Sequence, residues 1–148
     1  MKRIIYASTK SENITELMIY ELLEKSKINN DKFGITGMLV YDGIYFLQCI
    51  EGESAPVDQL MINLMKDERH CDFIKLGEEL TKYRLFPDWN MGFSDDKVTI
   101  AEVFESICGT NFLDPDDLSY EDSKSVLERL SFIVKNTNEN SSFFKKSL

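Results

Sequence analysis

The stretch MLVYDGIYFLQCIE, residues 38–51, predicts two strands joined by a tight turn. Asp42-Gly43 separates two runs of aliphatic, aromatic and β-branched residues, which is a strong hairpin signal. In the second run, period two places Gln48 on the same face as its apolar neighbours two residues away. A buried carboxamide without partners would cost about 2–7 kcal/mol. Gln48 therefore needs specific hydrogen bonds.

Signals on both sides of the hairpin give the order strand, helix, strand, strand, helix, strand, strand. The predicted elements are, in chain order, a strand over 2–9, a helix over 14–28, the hairpin, a helix capped by Ser54, and strands over 73–81 and 90–94. Asn29-Asn30 is expected to end the first helix, because Asn tolerates the left-handed conformation. This order predicts an α+β fold: a ferredoxin-like βαββαβ(β) sheet with two helices on one face.

A charged boundary, SDDKVT at 94–99, separates this sheet from a C-terminal part. Beyond it the apolar spacing predicts further helices, the longer one opening at Asp114-Pro115. We expect one domain over 1–96 and a helical extension over 97–148. The extension would cap the sheet, form an oligomer interface or dock a partner.

The composition is that of an acidic globular protein. The 148 residues include 26 acidic and 17 basic side chains, for a net charge of −9, so nucleic-acid binding is not expected. The apolar runs are too short for a membrane span or a signal-peptide core, which predicts a cytoplasmic protein. Three cysteines and a single histidine show no ligand spacing, so no metal site is predicted.

Several polar residues fall on inward-facing positions of the predicted sheet and first helix: Tyr6, Ser26, Asn30 and Gln48. Each alone has an ordinary explanation, such as a strand tyrosine or a helix end. Together they predict recognition of a flat heterocycle with a polar edge, since a carboxamide offers a donor beside an acceptor. The aliphatic side chains of Ile35, Leu39 or Leu60 would supply the walls for such a ring.

Four segments carry a resemblance to a known family: IIYAS at 4–8, NNDKFGITGMLVYDGIYFLQCIEG at 29–52, DERH at 67–70 and FPDWNMGF at 86–93. In this order and spacing they resemble the BLUF family, the blue-light sensors that use FAD. The resemblance covers roughly residues 2–95. The chain after that point inherits nothing specific from it.

The resemblance implies a flavin held between the two helices and over the sheet. Tyr6 matches the photoactive tyrosine and Gln48 the switching glutamine of the family. Further flavin-contacting positions match Ser26, Lys27, Asn29, Asn30, Asp67, Arg69 and His70. Trp89 and Met91 match a signal-relay pair that the family places on its last strand.

The function implied is a short, stand-alone, non-enzymatic blue-light receptor that controls a downstream signalling protein. Light would drive electron and proton transfer from Tyr6 through Gln48 to the flavin and back, leaving Gln48 rotated or tautomerised. FAD is the expected cofactor, FMN is possible, and a homo-oligomer is expected. A small flavin oxidoreductase and a flavin-free interaction module stay open as alternatives.

Overall fold

The computed structural model describes the backbone of residues 1–146 and the side chains of residues 1–137. Its elements are β1 Lys2–Lys10, α1 Glu16–Phe33, β2 Thr36–Tyr41, β3 Tyr45–Gly52, α2 Ser54–Met65, β4 His70–Leu80, β5 Gly92–Ser94, α3 Lys97–Cys108 and α4 Tyr120–Lys146. The predicted element order is confirmed. No helix within the described residues combines the length and the apolar character that crossing a bilayer requires.

The five strands form one mixed sheet in the order β4-β1-β3-β2-β5. The first four are antiparallel to their neighbours, and β5 runs parallel to β2. This is the ferredoxin-like arrangement with one strand added at the β2 edge. The hairpin between β2 and β3 turns at Asp42, whose carboxylate accepts from the N–H groups of Ile44 and Tyr45 at 2.9 and 2.8 Å.

Alternate residues of each strand enter two different cores. In β1, Ile4 and Tyr6 pack beneath α1 and α2, whereas Ile5 and Ala7 pack against α3 and α4. We call the first side of the sheet the cleft face and the second the outer face. The C-terminal helices therefore cover the outer face, opposite the first two helices.

α1 extends further than its sequence signals predict. The expected end at Asn29-Asn30 is wrong, because the helix continues to Phe33. It stops at Gly34, whose backbone is left-handed with φ of 66° and donates to the carbonyls of the last turn. Glycine takes this conformation without the steric cost that a side chain adds, so it ends the helix in place of the earlier asparagines.

Other boundaries also differ from the prediction. α1 begins at Glu16, two residues later than expected, and Ser54 is the first residue of α2 while Glu53 is its N-cap. β4 begins at His70, earlier than expected, and β5 is confined to Gly92–Ser94, so Trp89 and Met91 precede the last strand. α4 begins at Tyr120 and not at Asp114. Asp114 instead opens a turn, in which its side chain and carbonyl accept from N–H groups two and three residues on at 3.1 and 3.2 Å.

A buried carboxylate fastens the segment between β4 and β5. Glu51 is completely buried at the end of β3 and accepts from the N–H groups of Leu85 and Phe86 at 2.9 and 2.7 Å. Arg3 pairs with the same carboxylate through its Nε at 3.2 Å. Charge-assisted bonds of this kind are the stronger ones in proteins. They hold this loop against the sheet at the point where it turns toward β5.

Candidate functional site

A cleft with about 630 Å³ of empty space, part of it continuous with solvent, opens between α1, the end of α2 and the sheet. Eight of the predicted site residues line it: Tyr6, Ser26, Leu39, Gln48, Asp67, Arg69, His70 and Met91. Apolar side chains that the sequence did not single out as site residues complete the lining: Ile14, Ile19, Leu22, Leu23, Phe46 and Leu64. The cleft thus has aliphatic walls and a small group of polar side chains, the usual make-up of a small-molecule site.

Tyr6 and Gln48 face each other across the β1–β3 ladder. The Tyr6 hydroxyl donates to Gln48 Oε1, and Gln48 Nε2 donates to Met91 Sδ at 3.3 Å. Both side chains are nearly inaccessible, with 2% and 7% of their surface exposed. The buried carboxamide is therefore partnered at both ends. A leucine in its place would leave the Tyr6 hydroxyl without this acceptor.

The Tyr6 phenol lies in an apolar and acidic environment. Burial raises its pKa far above the ordinary value, and the Asp67 carboxylate raises it further. Both causes disfavour the phenolate. The hydroxyl therefore keeps its proton and acts as the donor to Gln48.

His70 ties β4 to β1 and to the end of α2. Its Nε2 lies 2.5 Å from the Leu64 carbonyl oxygen, and its Nδ1 lies 2.7 Å from Ser8 Oγ. A carbonyl can only accept, so Nε2 carries a proton. A neutral ring then accepts from the Ser8 hydroxyl at Nδ1.

An ion pair closes the rim of the cleft. Arg69 donates through Nε and Nη2 to the two carboxylate oxygens of Asp67 at 2.8 and 2.6 Å. Arg69 is largely exposed and Asp67 is half-buried. The hydrogen bonds from Arg69 lower the pKa of the Asp67 carboxyl. The rim therefore carries a paired positive and negative charge.

Five predicted contact residues lie away from the cleft lining. One of them, Leu60, packs against the apolar core of the cleft face. Asn30 is buried, and its Nδ2 donates to the Asn90 carbonyl at 2.8 Å. Ile35 is buried within the apolar core of the cleft face. Lys27 borders a separate groove beside Trp89, and Asn29 is exposed on α1. The structure does not bring these side chains to the cleft wall, and their roles stay predictions.

Trp89 and Met91 lie on opposite sides of the sheet although only one residue separates them. Met91 belongs to the core of the cleft face, whereas Trp89 packs against the core of the outer face. The Trp89 carbonyl accepts from the Gly37 N–H at 3.0 Å, which attaches this segment to β2. The segment therefore passes from one core to the other just before β5 begins.

The sequence did not predict one aromatic contact of the site, between Tyr6 and Phe73. The Phe73 ring stacks on the Tyr6 ring with 4.3 Å between centroids and 17° between planes. Strand periodicity gives no signal for it, since Phe73 sits beside an irregularity of β4. Phe46, in contrast, shares the face of Gln48, and the α1 lining follows the helical spacing, so those residues were within reach of the sequence.

The lining fits the edge of a flat heterocycle such as an isoalloxazine. The amide N–H of Gln48 donates to the thioether sulfur of Met91, which is a weak acceptor. A ligand carbonyl or ring nitrogen at this position would be a better partner. Leu22, Leu23 and Leu39 supply apolar surface for a ring beside that amide.

Comparison with known proteins agrees with this fit. The chain is 29% identical over 110 residues to the photoactivated adenylate cyclase subunit beta of Euglena gracilis, covering 72% of this chain and 13% of that protein. It thus spans about an eighth of the length of this relative.

Two solved structures share the fold over nearly their whole length. The photo-activated state of BlsA superposes with a TM-score of 0.78 and 30% identity, covering 87% of this chain and 93% of that chain. The dark state of BlrB, a BLUF protein, superposes with a TM-score of 0.70 and 27% identity, covering 91% and 96%. Residues 1–92 match the family described as BLUF, sensors of blue-light using FAD. The resemblance seen in the sequence is confirmed: this chain belongs to the BLUF family of blue-light sensors.

Proposed function

We propose that this chain is a blue-light photoreceptor that holds an oxidised flavin, FAD or FMN, in the cleft and controls a partner protein. The observation that carries the proposal is the buried hydrogen-bond chain from Tyr6 through Gln48 to Met91 in the cleft wall. Leu22, Leu23 and Leu39 would pack on the ring, and Gln48 would bond its polar edge. A bound flavin would supply blue-light absorption and an excited state able to accept an electron and a proton reversibly.

Tyr6 is suited to giving up an electron and a proton together. Its raised pKa keeps the phenol neutral at every ordinary pH. A buried phenol radical cation would be unstable, so the proton leaves with the electron. The hydroxyl already points at Gln48 Oε1, which defines the path of that proton. Return of both restores the phenol.

Gln48 would record the event by changing its hydrogen bonds. Rotation of the carboxamide would turn its oxygen toward Met91 Sδ, which cannot donate. A tautomerised side chain would likewise change the donor that faces Met91. Rotation removes the Gln48–Met91 bond, whereas the tautomer leaves one N–H in place of two on the nitrogen that faces Met91. One hydrogen bond contributes about 0.5–1.5 kcal/mol. Met91 is therefore the first residue to sense the switch.

The output would run through Met91 and Trp89 to α4. Trp89 lies on the outer face and borders a groove with Glu128, Ser131 and Phe132 of α4. A displacement of Met91 in the cleft core is thus passed along the backbone to a side chain in contact with the C-terminal helices. Couplings of about 1–3 kcal/mol are usual for such transmission.

The chain would act by regulation and not by catalysis. The Euglena gracilis relative is named a photoactivated adenylate cyclase subunit, which supports control of an effector by a domain of this kind. We propose a homo-oligomer and a downstream signalling protein as its partners. Size-exclusion chromatography tests the oligomer, and a monomer's elution volume would contradict it. Co-purification in light and in darkness tests the partner, and a set of bound proteins that does not change with light would contradict it.

Illumination of the flavin-loaded chain tests the photoreceptor itself. A reversible red shift of the flavin absorption in blue light, without bleaching, is the expected result. Tyr6→Phe should bind flavin and lose this photocycle, because it removes the only hydroxyl that donates to Gln48 Oε1 among the described residues. Net bleaching with an electron donor would instead indicate a reductase, and a preparation that takes up no flavin an interaction module.

A further inference from the structure

β4 has two irregularities near Tyr6, one between the partners of Ile5 and Tyr6 and one between the partners of Ala7 and Thr9. The second contains Asp72. Across the β1–β4 ladder, Ala7 pairs with Ile74 and Thr9 pairs with Cys71. Between these pairs β4 has two residues and β1 has one, so β4 contains a bulge. Within this bulge Asp72 has a left-handed backbone with φ of 50°, the only positive φ at a non-glycine residue in the described part of the chain. Aspartate is among the side chains that tolerate this region best.

The bulge changes which side chains face the cleft. His70 and Phe73 are three positions apart and would lie on opposite faces of a regular strand. With the extra residue between them, both rings lie on the cleft face, with 5.9 Å between their centroids. The His70 centroid lies 6.0 Å from that of Tyr6, and Phe73 stacks on Tyr6 at 4.3 Å.

We propose that Phe73, placed by the Asp72 bulge, is a positioning residue that holds the Tyr6 ring so that its hydroxyl stays aimed at Gln48. The inference rests on the photoreceptor function proposed above. A β-bulge is a recognised means of re-aiming a side chain beside a functional site. An unusual backbone conformation kept at such a site is consistent with a functional role.

The stacking acts on the step in which Tyr6 gives one electron and its phenolic proton to the bound flavin and later recovers both. Among the described residues the Tyr6 hydroxyl donates to Gln48 Oε1, so the proton leaves along that bond. A Tyr6 ring that rocks away from Phe73 lengthens or bends that bond. Loss of a well-formed aromatic pair should also speed flipping of the Tyr6 ring by about two- to tenfold. The flip axis passes through the hydroxyl oxygen, so the flipping rate measures how firmly the ring is held and not where the hydroxyl points. The yield of the red-shifted state per absorbed photon should fall as the bond lengthens or bends.

The decisive experiment compares three full-length variants in darkness and in light. Phe73→Leu removes the ring, Phe73→Tyr keeps it, and Phe104→Leu makes the same loss in the buried core of the outer face. In darkness, NMR of ring-labelled tyrosine, assigned with Tyr6→Phe, measures flipping of the Tyr6 ring. In blue light, absorption spectroscopy measures the yield of the red-shifted state.

We expect faster flipping and a lower yield in Phe73→Leu only, with both restored in Phe73→Tyr. Unchanged flipping in Phe73→Leu, an unchanged yield despite faster flipping, or an equal loss in Phe104→Leu would each overturn the proposal. A parent protein without any photoshift would defeat the photoreceptor assignment, yet the dark NMR comparison would still decide whether Phe73 holds Tyr6.

A second pair of variants tests the bulge without touching an aromatic ring. Asp72→Val places a β-branched residue at a left-handed position, which it disfavours, whereas Asp72→Asn keeps a residue that tolerates it. Asp72→Val should reproduce the effects of Phe73→Leu, and Asp72→Asn should behave like the parent. Parent-like flipping and yield in Asp72→Val would show that the bulge does not position Phe73.

Discussion

The cleft face and the outer face of the sheet are made from alternate residues of the same strands, yet they are filled differently. On the outer face Met38, Val40, Leu47 and Cys49 are all fully buried against α3 and α4. On the cleft face the corresponding rows of β1 and β3 contain a tyrosine and a glutamine, and open space lies next to them. α1 and α2 cover this side only in part.

The difference separates stability from function within one sheet. Close packing of apolar side chains contributes about 25 cal/mol per Å² of buried apolar surface, and the outer face uses it throughout. The cleft face gives up some of that packing to leave room for a ligand and to keep polar groups beside it. Substitutions on the two faces should therefore have different consequences, and four substitutions test this contrast.

Gln48→Leu should have the largest effect on function. It removes the acceptor of Tyr6 and the donor to Met91, while the apolar lining that would hold a ring stays intact. The variant should retain flavin and fold but lose the red shift entirely in blue-light absorption spectroscopy. Gln59→Leu, at an exposed site on α2, is the matched control and should keep the shift. A normal red shift in Gln48→Leu would defeat the switch assignment.

Leu127→Ala should have the largest effect on stability. Leu127 lies fully buried in α4 within the outer-face core, and such truncations cost about 2–5 kcal/mol. Urea unfolding measures the loss, whereas the amplitude of the photoshift should be retained at low temperature. Leu80→Ala, at a side chain with 78% exposure, should change the free energy of unfolding little. A cost in Leu127→Ala no greater than in Leu80→Ala would contradict the contrast.

Gly77→Ala should disturb the docking of α4 on the outer face. A Cβ added at Gly77 would overlap Cδ2 of the Tyr120 ring. The ring must move, which weakens the bond from its hydroxyl to Glu79 Oε1, now 2.9 Å long. We expect a loss of about 1–3 kcal/mol in urea unfolding. In the background of Tyr120→Ala the same substitution should cost much less, and additive effects would show that the ring is not the obstacle.

Asp67→Asn should have the smallest effect, at the rim of the cleft. The Arg69 hydrogen bonds lower the pKa of the Asp67 carboxyl, so the pair stabilises the fold above the ordinary aspartate pKa, about 3.9, and this contribution is lost as pH falls through the lowered value. In Asp67→Asn the free energy of unfolding should fall less steeply as pH drops below the ordinary aspartate pKa. The difference from the parent should be less than about 1 kcal/mol, since the pair is partly exposed. Urea unfolding across that pH range measures it; an equally steep fall in both proteins would contradict the expectation.

Periodicity predicted the parts of the site that lie on regular elements. Gln48 on the cleft face followed from alternation in β3, and Ser26 beside the aliphatic lining followed from the spacing of α1. The features it missed lie where regular structure breaks. Phe73 depends on a bulge, and Trp89 and Met91 lie in a segment before β5 in which alternation does not apply.

The end of α1 was predicted wrongly for a different reason. Asn29-Asn30 has the composition of a helix end, but Gly34 satisfies the same requirement better a turn later. Asn30 is then free to use its amide on the Asn90 carbonyl, a tertiary contact that no local pattern encodes. Local propensity placed the helix correctly and its boundary wrongly.

The buried carboxylate of Glu51 has a mechanical consequence. This carboxylate accepts from the N–H groups of Leu85 and Phe86 and so fixes one end of the segment that leads to Met91. The backbone at Leu85 and Phe86 is fixed to β3, so we expect a displacement of Met91 to move the residues after Phe86 and not those before it. If Met91 relays the signal as proposed above, we expect the segment after Phe86 to rotate about this fixed point and to shift Trp89 relative to α4.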